Sequence, residues 1–443
     1  MVIRRNAYAS VLAAVMALAC NGQDELPRRV FLGIRMEAVT EDMRRVMGLG
    51  DVPGVLVSEV LPSSTASAAG WERGDLLTSL GGEAVNSVGE VLDRLAGRRA
   101  GTPIAYELVR QGKRHKGTAR LTAWAEERPA GLEMRYGAVR TVNGLQRTIV
   151  ARPSGRGDER LPLVVFIGGI ACYSLDTPMD TARSETRLLN DLARKGYACV
   201  RLEKPGMGDG AGFGKSCAEV GLMEEMLGYV DMVKALKRTP GVDSTDITII
   251  GHSMGGVFAP LVAQCTPVQR IIAYGTIGSN FMEYLLKTRR TIGEAYGWEP
   301  ERTDTFIKDY CECATWYFAD GMSTEAVEAK KPGCGELVGI FDGRSRKYND
   351  ELYALNIPAA WRGYRGRTLL LWGEADYIAA RHDHEILRDI LQQQRPGSVT
   401  FHVVPDADHG MHQADDPKAA VAGSGPYQPG VGRIIADWLD ADP

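Results

Sequence analysis

Residues 249–256 read Ile-Ile-Gly-His-Ser-Met-Gly-Gly, so a short apolar run breaks into Gly251-x-Ser253-x-Gly255. No other stretch restricts the fold as much. The β-branched run Ile247 to Ile250 has the composition of a buried parallel strand, and Met254 to Gln264 has helix-compatible spacing directly after the break. A strand that becomes a helix within three residues brings its backbone close to itself, and Gly251 and Gly255 leave the room that side chains would fill. The serine between them is held exposed, in torsions that cost energy. With 51 glycines in the chain, the spacing alone would carry little weight. The strand-turn-helix setting makes Ser253 the candidate nucleophile.

A serine hydroxyl is a poor nucleophile at neutral pH and needs a base, which in turn needs an orienting carboxylate. Thr368 to Trp372 is a strand-like run followed by Gly373-Glu374-Ala375-Asp376, and Val399 to Val404 is another, followed by Pro405-Asp406-Ala407-Asp408-His409-Gly410. Serine, acid and histidine in this order, each just past a strand, resemble the α/β-hydrolase superfamily, from about Arg135 to the C-terminus. The resemblance implies an α/β fold with a mostly parallel central sheet and no metal or organic cofactor. It implies a triad in which His409 takes the Ser253 proton and Asp376 fixes the imidazole tautomer. Glu374 and His412 are the near alternatives, but the family's acid stands a few residues past the strand-ending glycine and its base in an Asp-His-Gly setting. His252 is expected to pack locally, and His382 and His384 to be solvated helix or loop residues.

The family also implies backbone donors for the oxyanion, each worth about 3 to 4 kcal/mol. Met254 opens the helix after the turn and is one. The second comes from the loop after the strand Leu163 to Ile167, where Gly168-Gly169-Ile170 lacks the histidine many members have; Ile170 is the choice and Gly169 the alternative. Glu203 to Gly210 follows the strand Tyr197 to Leu202 and borders the site in similar hydrolases. Its glycines do not have the spacing of a phosphate-binding loop, and Asp209 is expected to cap or brace the turn. Between about 281 and 361 aromatic residues are spread through helix-like stretches, the position of a helical cap over the pocket.

The N-terminal third reads differently. Phe31-Leu32-Gly33-Ile34 and Ala69-Gly70-Trp71-Glu72-Arg73-Gly74-Asp75 resemble bacterial PDZ domains, with Gly54 to Val57, Pro103 to Arg110 and Lys116 to Leu121 as strands and Val88 to Leu95 as the short helix. The resemblance covers residues 28–124. It implies a groove that adds a peptide as a strand, with Leu32, Gly33 and Ile34 cradling a terminal carboxylate. Residues 125–131 form the expected linker, and 132–443 the expected hydrolase domain.

Arg4 and Arg5 precede the apolar run Ala7 to Ala19, too short to span a bilayer, so residues 1–19 read as a secretory signal. Cys20 follows a candidate cleavage site and permits a lipid tether. Export would allow a Cys172–Cys217 disulfide, since both residues follow loops near the pocket rim. Cys199 and Cys265 are expected to be small buried hydrophobes, and Cys311, Cys313 and Cys334 to supply a disulfide rather than a metal site. A net charge of -4 on 52 basic and 56 acidic residues gives no field that would recruit nucleic acid. The sequence therefore points to an exported serine hydrolase acting on a small ester or acyl substrate, with a module for peptide or protein C-termini. A serine peptidase fed by that module, and an inactive hydrolase-fold scaffold, are the alternatives.

Overall fold

The computed structural model describes residues 26–47, 51–341 and 343–441. The expected signal segment 1–19 and Cys20 lie outside them. The described residues build two large sheets and a two-stranded one, with a short segment crossing between the large sheets. The first contains β2 (Ile34–Ala38), β3 (Val55–Val60), β4 (Leu76–Leu80), β6 (Pro103–Arg110) and β7 (Lys113–Arg120) in the order β2-β3-β4-β6-β7, all antiparallel, with β5 (Glu83–Ala84) paired to β4. Two-residue strands β1 (Val30–Phe31) and β8 (Thr122–Ala123) tie its beginning to its end. Val55, Val57, Leu77, Leu80 and Ile104 fill the core, and the helix Val88–Leu95 adds Val91. Ser87 starts that helix by accepting the Glu90 amide, a cap worth about 1 kcal/mol. β2 is an edge strand, bonded only to β3.

The second sheet has eight strands: β9 (Leu132–Thr141), β10 (Gly144–Pro153), β11 (Leu161–Ile167), β12 (Ala198–Leu202), β13 (Val242–His252), β14 (Arg270–Tyr274), β15 (Arg367–Gly373) and β16 (Val399–Val404). Their order is β16-β15-β14-β13-β11-β12-β10-β9, parallel from β16 to β12 and antiparallel at β10 and β9. The central strands are continuous apolar runs because helices cover both faces. Leu222–Leu236 and Met254–Cys265 pack on one face, Ser184–Arg194 and Gly430–Asp440 on the other. The segment between β14 and β15 forms six helices from Phe281 to Arg362 and a five-residue π-helical turn, Thr315–Ala319, gathered around Phe281, Phe318, Phe341 and Tyr348. Cys313 and Cys334 form a disulfide within it.

Two expectations are corrected, and the connecting segment adds a finding of its own. His384 is fully buried, because it shares a face with Leu387 and Leu391 on the helix Arg381–Gln394; its Nε2 accepts the Thr276 amide at 3.2 Å. Cys265 is exposed, being the last residue of its helix, whereas Cys199 is buried on β12. The segment 125–131 is more than a connector. Glu127 is buried, its carboxylate takes both Nη atoms of Arg201 and the Thr177 amide, and its own amide donates to Tyr136 Oη. Asp209 ties its turn to β10 through Arg147 and reaches across the junction to Arg28 and the Arg29 amide.

Candidate active site

Ser253 sits where β13 gives way to the helix Met254–Cys265, at φ 54° and ψ -119°. Positive φ strains a residue with a β-carbon, and the neighbours hold it there. Its amide donates to the Tyr274 carbonyl at 2.9 Å, and Thr276 Oγ1 donates to its carbonyl at 3.0 Å. The glycines meet a steric demand: a β-carbon on Gly251 would lie 2.4 Å from the Gly255 carbonyl carbon, and one on Gly255 1.9 Å from the Ile167 oxygen. The turn, β11 and β14 are thus in backbone contact.

Asp376 and His409 meet at the ends of β15 and β16, with Asp376 Oδ2 3.0 Å from His409 Nδ1. The other oxygen of Asp376 accepts the Ile378 and Ala379 amides at 2.8 Å each, so this buried carboxylate has a fixed direction. Burial alone would lower the His409 pKa, but the charge and hydrogen bond of Asp376 outweigh it and hold the imidazole above its ordinary value. With Nδ1 bonded to Asp376, Nε2 is the ring nitrogen left for another partner. The ring lies against Gly275, where a β-carbon would be 2.9 Å from Nδ1. Gly275 directly follows Tyr274, whose carbonyl holds Ser253, so the serine and the histidine share one neighbourhood.

The alternatives separate by their partners. His412 pairs with Asp408 at 3.4 Å, and Glu374 is exposed. His252 stacks on Tyr274 with centroids 4.7 Å apart and places Nε2 3.1 Å from the His409 carbonyl. Burial and then the charge of His409 push it down to about 3, so it stays neutral and packs locally, as expected.

On the β11 side, the Gly169 amide donates to Tyr173 Oη at 2.9 Å. Among the described residues the Ile170 and Met254 amides donate to no protein acceptor. A β-carbon on Gly169 would sit 3.4 Å from Ser253 Cβ, which places this loop beside the serine. Two supports hold the segment behind it, and of their residues Arg344 and Glu203 were unforeseen from sequence. Cys172 is bonded to Cys217, as expected, and Arg344 of the cap donates to both sulfurs and pairs with Glu225, which also binds buried Lys204 at 3.0 Å and Tyr229 Oη at 2.7 Å. Glu203 accepts the Leu175 amide and Ser174 Oγ, and burial pushes its carboxyl up to about 7.

A cavity of about 420 Å³ opens at Ser253, Met254 and Ile170 and runs under the first cap helix, with Phe281, Tyr284, Leu285 and Ile292 on its wall. Among the described residues Arg289 is its one charged lining residue; its Nη2 donates to Tyr310 Oη at 3.2 Å and its guanidinium stacks on the Tyr310 ring. The i, i+4, i+7 spacing of Leu285, Arg289 and Ile292 was readable as one helix face, but nothing in the sequence said what that face covers. Among the described residues no three His, Cys, Asp or Glu side chains converge in a way that would hold a metal ion. The site thus gathers Ser253, Asp376, His409, Ile170 and Met254, while Leu32, Gly33 and Ile34 lie in the other domain.

A model of the alpha/beta hydrolase family matches residues 164–423, more than half of the chain, and a PDZ domain model matches residues 30–121. Curated relatives include a Do/HhoA-like periplasmic serine protease of Haemophilus influenzae, 34% identical over 96 residues (22% of this chain, 21% of the relative). Another is the periplasmic pH-dependent serine endoprotease DegQ of Escherichia coli, 38% identical over 86 residues (19% of each). The chain therefore spans about a fifth of the length of these relatives. Similar solved structures include an esterase of Pyrococcus furiosus, at 16% identity and TM-score 0.45 over 70% of this chain and 91% of that one. An acylaminoacyl peptidase of Pyrococcus horikoshii aligns at 13% identity and TM-score 0.47 over 78% of this chain and 55% of that one.

Proposed function

The chain belongs to the alpha/beta hydrolase family and carries a PDZ domain, and on that premise we propose that it is an exported serine hydrolase cleaving carboxylic esters, with the PDZ domain binding peptide or protein C-termini. The observation that chiefly supports the reading is the His409–Asp376 pair beside a strained Ser253 at the mouth of an apolar cavity. In this reading Ser253 Oγ attacks the ester carbonyl carbon while His409 Nε2 takes its proton, and the Ile170 and Met254 amides receive the oxyanion. His409 then gives the proton to the departing alcohol, leaving Ser253 acylated; water, deprotonated by the same nitrogen, releases the acid. Asp376 keeps Nδ1 protonated throughout. The cavity is suited to an apolar acyl chain of modest length.

Export is supported by the charged and apolar run in residues 1–19, by two disulfides, which persist in oxidising compartments, and by the periplasmic proteases that the PDZ region resembles. A peptidase is the second reading, favoured by the PDZ domain, since the same triad attacks amides.

The test is hydrolysis of p-nitrophenyl butyrate by wild type and Ser253→Ala. Wild-type turnover with a loss of about a thousandfold or more in the variant is expected. Equal rates would remove Ser253 from the chemistry. A wild type inert to esters but active on aminoacyl anilides would favour the peptidase, and one inert to both would leave a scaffold.

A further inference from the structure

Ester cleavage at Ser253 makes no use of Arg289, the one charge that faces its cavity among the described residues. Lys287, Arg289 and Arg290 all lie on the first cap helix, Phe281–Ala295. Lys287 pairs with Glu283 and Asp383, and Arg290 pairs with Asp304. Arg289 pairs with no carboxylate among the described residues; its guanidinium donates to the hydroxyl of Tyr310 at 3.2 Å. The helix period accounts for the difference. Arg289 shares a face with Leu285 and Ile292, which line the cavity. A guanidinium cannot shed its charge and carries several N–H donors in a fixed fork, so a single hydroxyl leaves most of its bonding capacity open.

This cation is also held in place. Its guanidinium lies 4.4 Å from the centroid of the Tyr310 ring, and Tyr310 is fully buried on the next cap helix, Pro300–Ala314. A planar cation stacked on a fixed ring has little freedom left to lose when an anion reaches it. Its stretch of helix is tied to the triad as well. Thr288, the preceding residue, donates from Oγ1 to the Ile378 carbonyl at 2.9 Å, and the Ile378 amide donates to Asp376 at 2.8 Å. Arg289 and Ser253 therefore open on the same cavity, with Phe281, Leu285 and Ile292 as its apolar wall. In such surroundings a charge-assisted bond to a ligand anion is strong, whereas a neutral chain end leaves the donors unmet.

We propose that Arg289 sets the substrate class, and that the acyl part of the ester is an apolar stem ending in a carboxylate, so that the substrate is a half-ester of a dicarboxylic acid. Ser253 attacks the ester carbonyl at one end, the stem lies along Phe281, Leu285 and Ile292, and the far carboxylate accepts from the open N–H groups of Arg289. Water is consumed at the ester bond alone and yields the alcohol and the dicarboxylate; the carboxylate on Arg289 is unchanged. The inference rests on ester hydrolysis at Ser253 and adds the acyl specificity of that site.

The test compares p-nitrophenyl half-esters of adipic, suberic and sebacic acids with the same chains ending in a carboxamide, with p-nitrophenyl hexanoate as the neutral reference, all offered to the full chain. For at least one stem length, kcat/KM is expected to be about tenfold or more higher for the acid than for its carboxamide. Arg289→Met, which keeps an unbranched stem in the wall, is expected to bring acid and carboxamide together, and Arg289→Lys to restore part of the difference. No preference for the acid at any length in wild type overturns the proposal, as does a preference that survives in folded Arg289→Met. Cleavage of hexanoate beside either of those results leaves hydrolysis at Ser253 standing without this specificity. Should the wild type cleave none of these esters, the same comparison is read by calorimetric titration of methyl half-esters and their carboxamides into the Ser253→Ala chain. An acid bound about tenfold tighter than its carboxamide, with the difference lost on adding Arg289→Met, keeps Arg289 as the anion site while ester hydrolysis falls. Equal affinities, or no binding by about 1 mM, overturn both.

Discussion

At Ser253 the positive φ is kept by contacts from β11 and β14 as much as by the turn itself. Gly255→Ala drives a β-carbon to 1.9 Å from the Ile167 oxygen and is expected to lower stability by more than about 3 kcal/mol, seen as a fall in thermal midpoint. Gly169→Ala makes only ordinary contacts, at 3.4 Å to Ser253 Cβ and 3.7 Å to its Oγ. It should fold normally yet lose ester turnover if Ser253 is the nucleophile, because the added methyl narrows the approach to its Oγ. His409 acts as a base only when deprotonated, and Asp376 holds its pKa above the ordinary value. The kcat/KM profile for p-nitrophenyl butyrate should therefore rise with pH through a midpoint above about 6.5. Asp376→Asn should cost about 10⁴ in kcat. A midpoint below 6.5 in wild type would count against this base. The sequence favoured His409 over His412 because strand end and acid order are local signals, and it is His409 that lies against Asp376. It misjudged His384, since a polar run such as Arg-His-Asp-His does not reveal which turn of an amphipathic helix faces the sheet.

The segment just beyond the loop 168–170 is an element held from outside itself, by the Cys172–Cys217 bond and by Glu203. Cys172→Ser with Cys217→Ser should lower stability by about 2 to 4 kcal/mol. It should also lower kcat for butyrate ester more than the melt accounts for at the assay temperature, because Ile170 lies two residues from the cross-link. Glu203 gives this element a pH dependence. Its folded pKa is raised, to about 7, so between the unfolded value near 4.3 and that figure the native state holds a proton the unfolded chain has lost. Stability then falls as pH rises through that window, by on the order of 3 kcal/mol. Thermal midpoints from pH 5 to 7.5 should drop in wild type and stay flatter in Glu203→Gln; parallel curves would exclude Glu203 as the source. Elements with strong periodicity were legible: Val88–Leu95, Pro103–Arg110 and Val399–Val404 lie where the pattern put them. The β9–β10 hairpin was not read, although Asn143-Gly144 between two alternating runs is a turn signal. Buried Lys204, Glu225 and Arg344 have no local signature at all, because charged residues look solvated until their partners are known.

At the scale of the whole molecule, ion pairs cross between the two domains and the segment that joins them. Arg28 carries Asp176 and Asp209, Arg147 shares Asp209, and Glu127 locks onto Arg201. Removing one partner strands buried carboxylates, so Arg28→Ala should cost about 3 to 5 kcal/mol. It should also split a single calorimetric transition into two; one undivided transition would show that the domains are coupled by other means. Each domain was readable from sequence, whereas their junction was not, since its pairs lie 62 to 181 residues apart and follow no period. The anchoring of Glu127 has a further consequence. A loose tether lets two binding modules sample many separations, and a ligand of almost any length then gains from engaging both. With Glu127 clamped, the groove and Ser253 stand at one separation. A bifunctional ligand, with an anionic peptide end and a serine-reactive end, should gain avidity over a narrow range of spacer lengths and none outside it, so the molecule would measure what it binds.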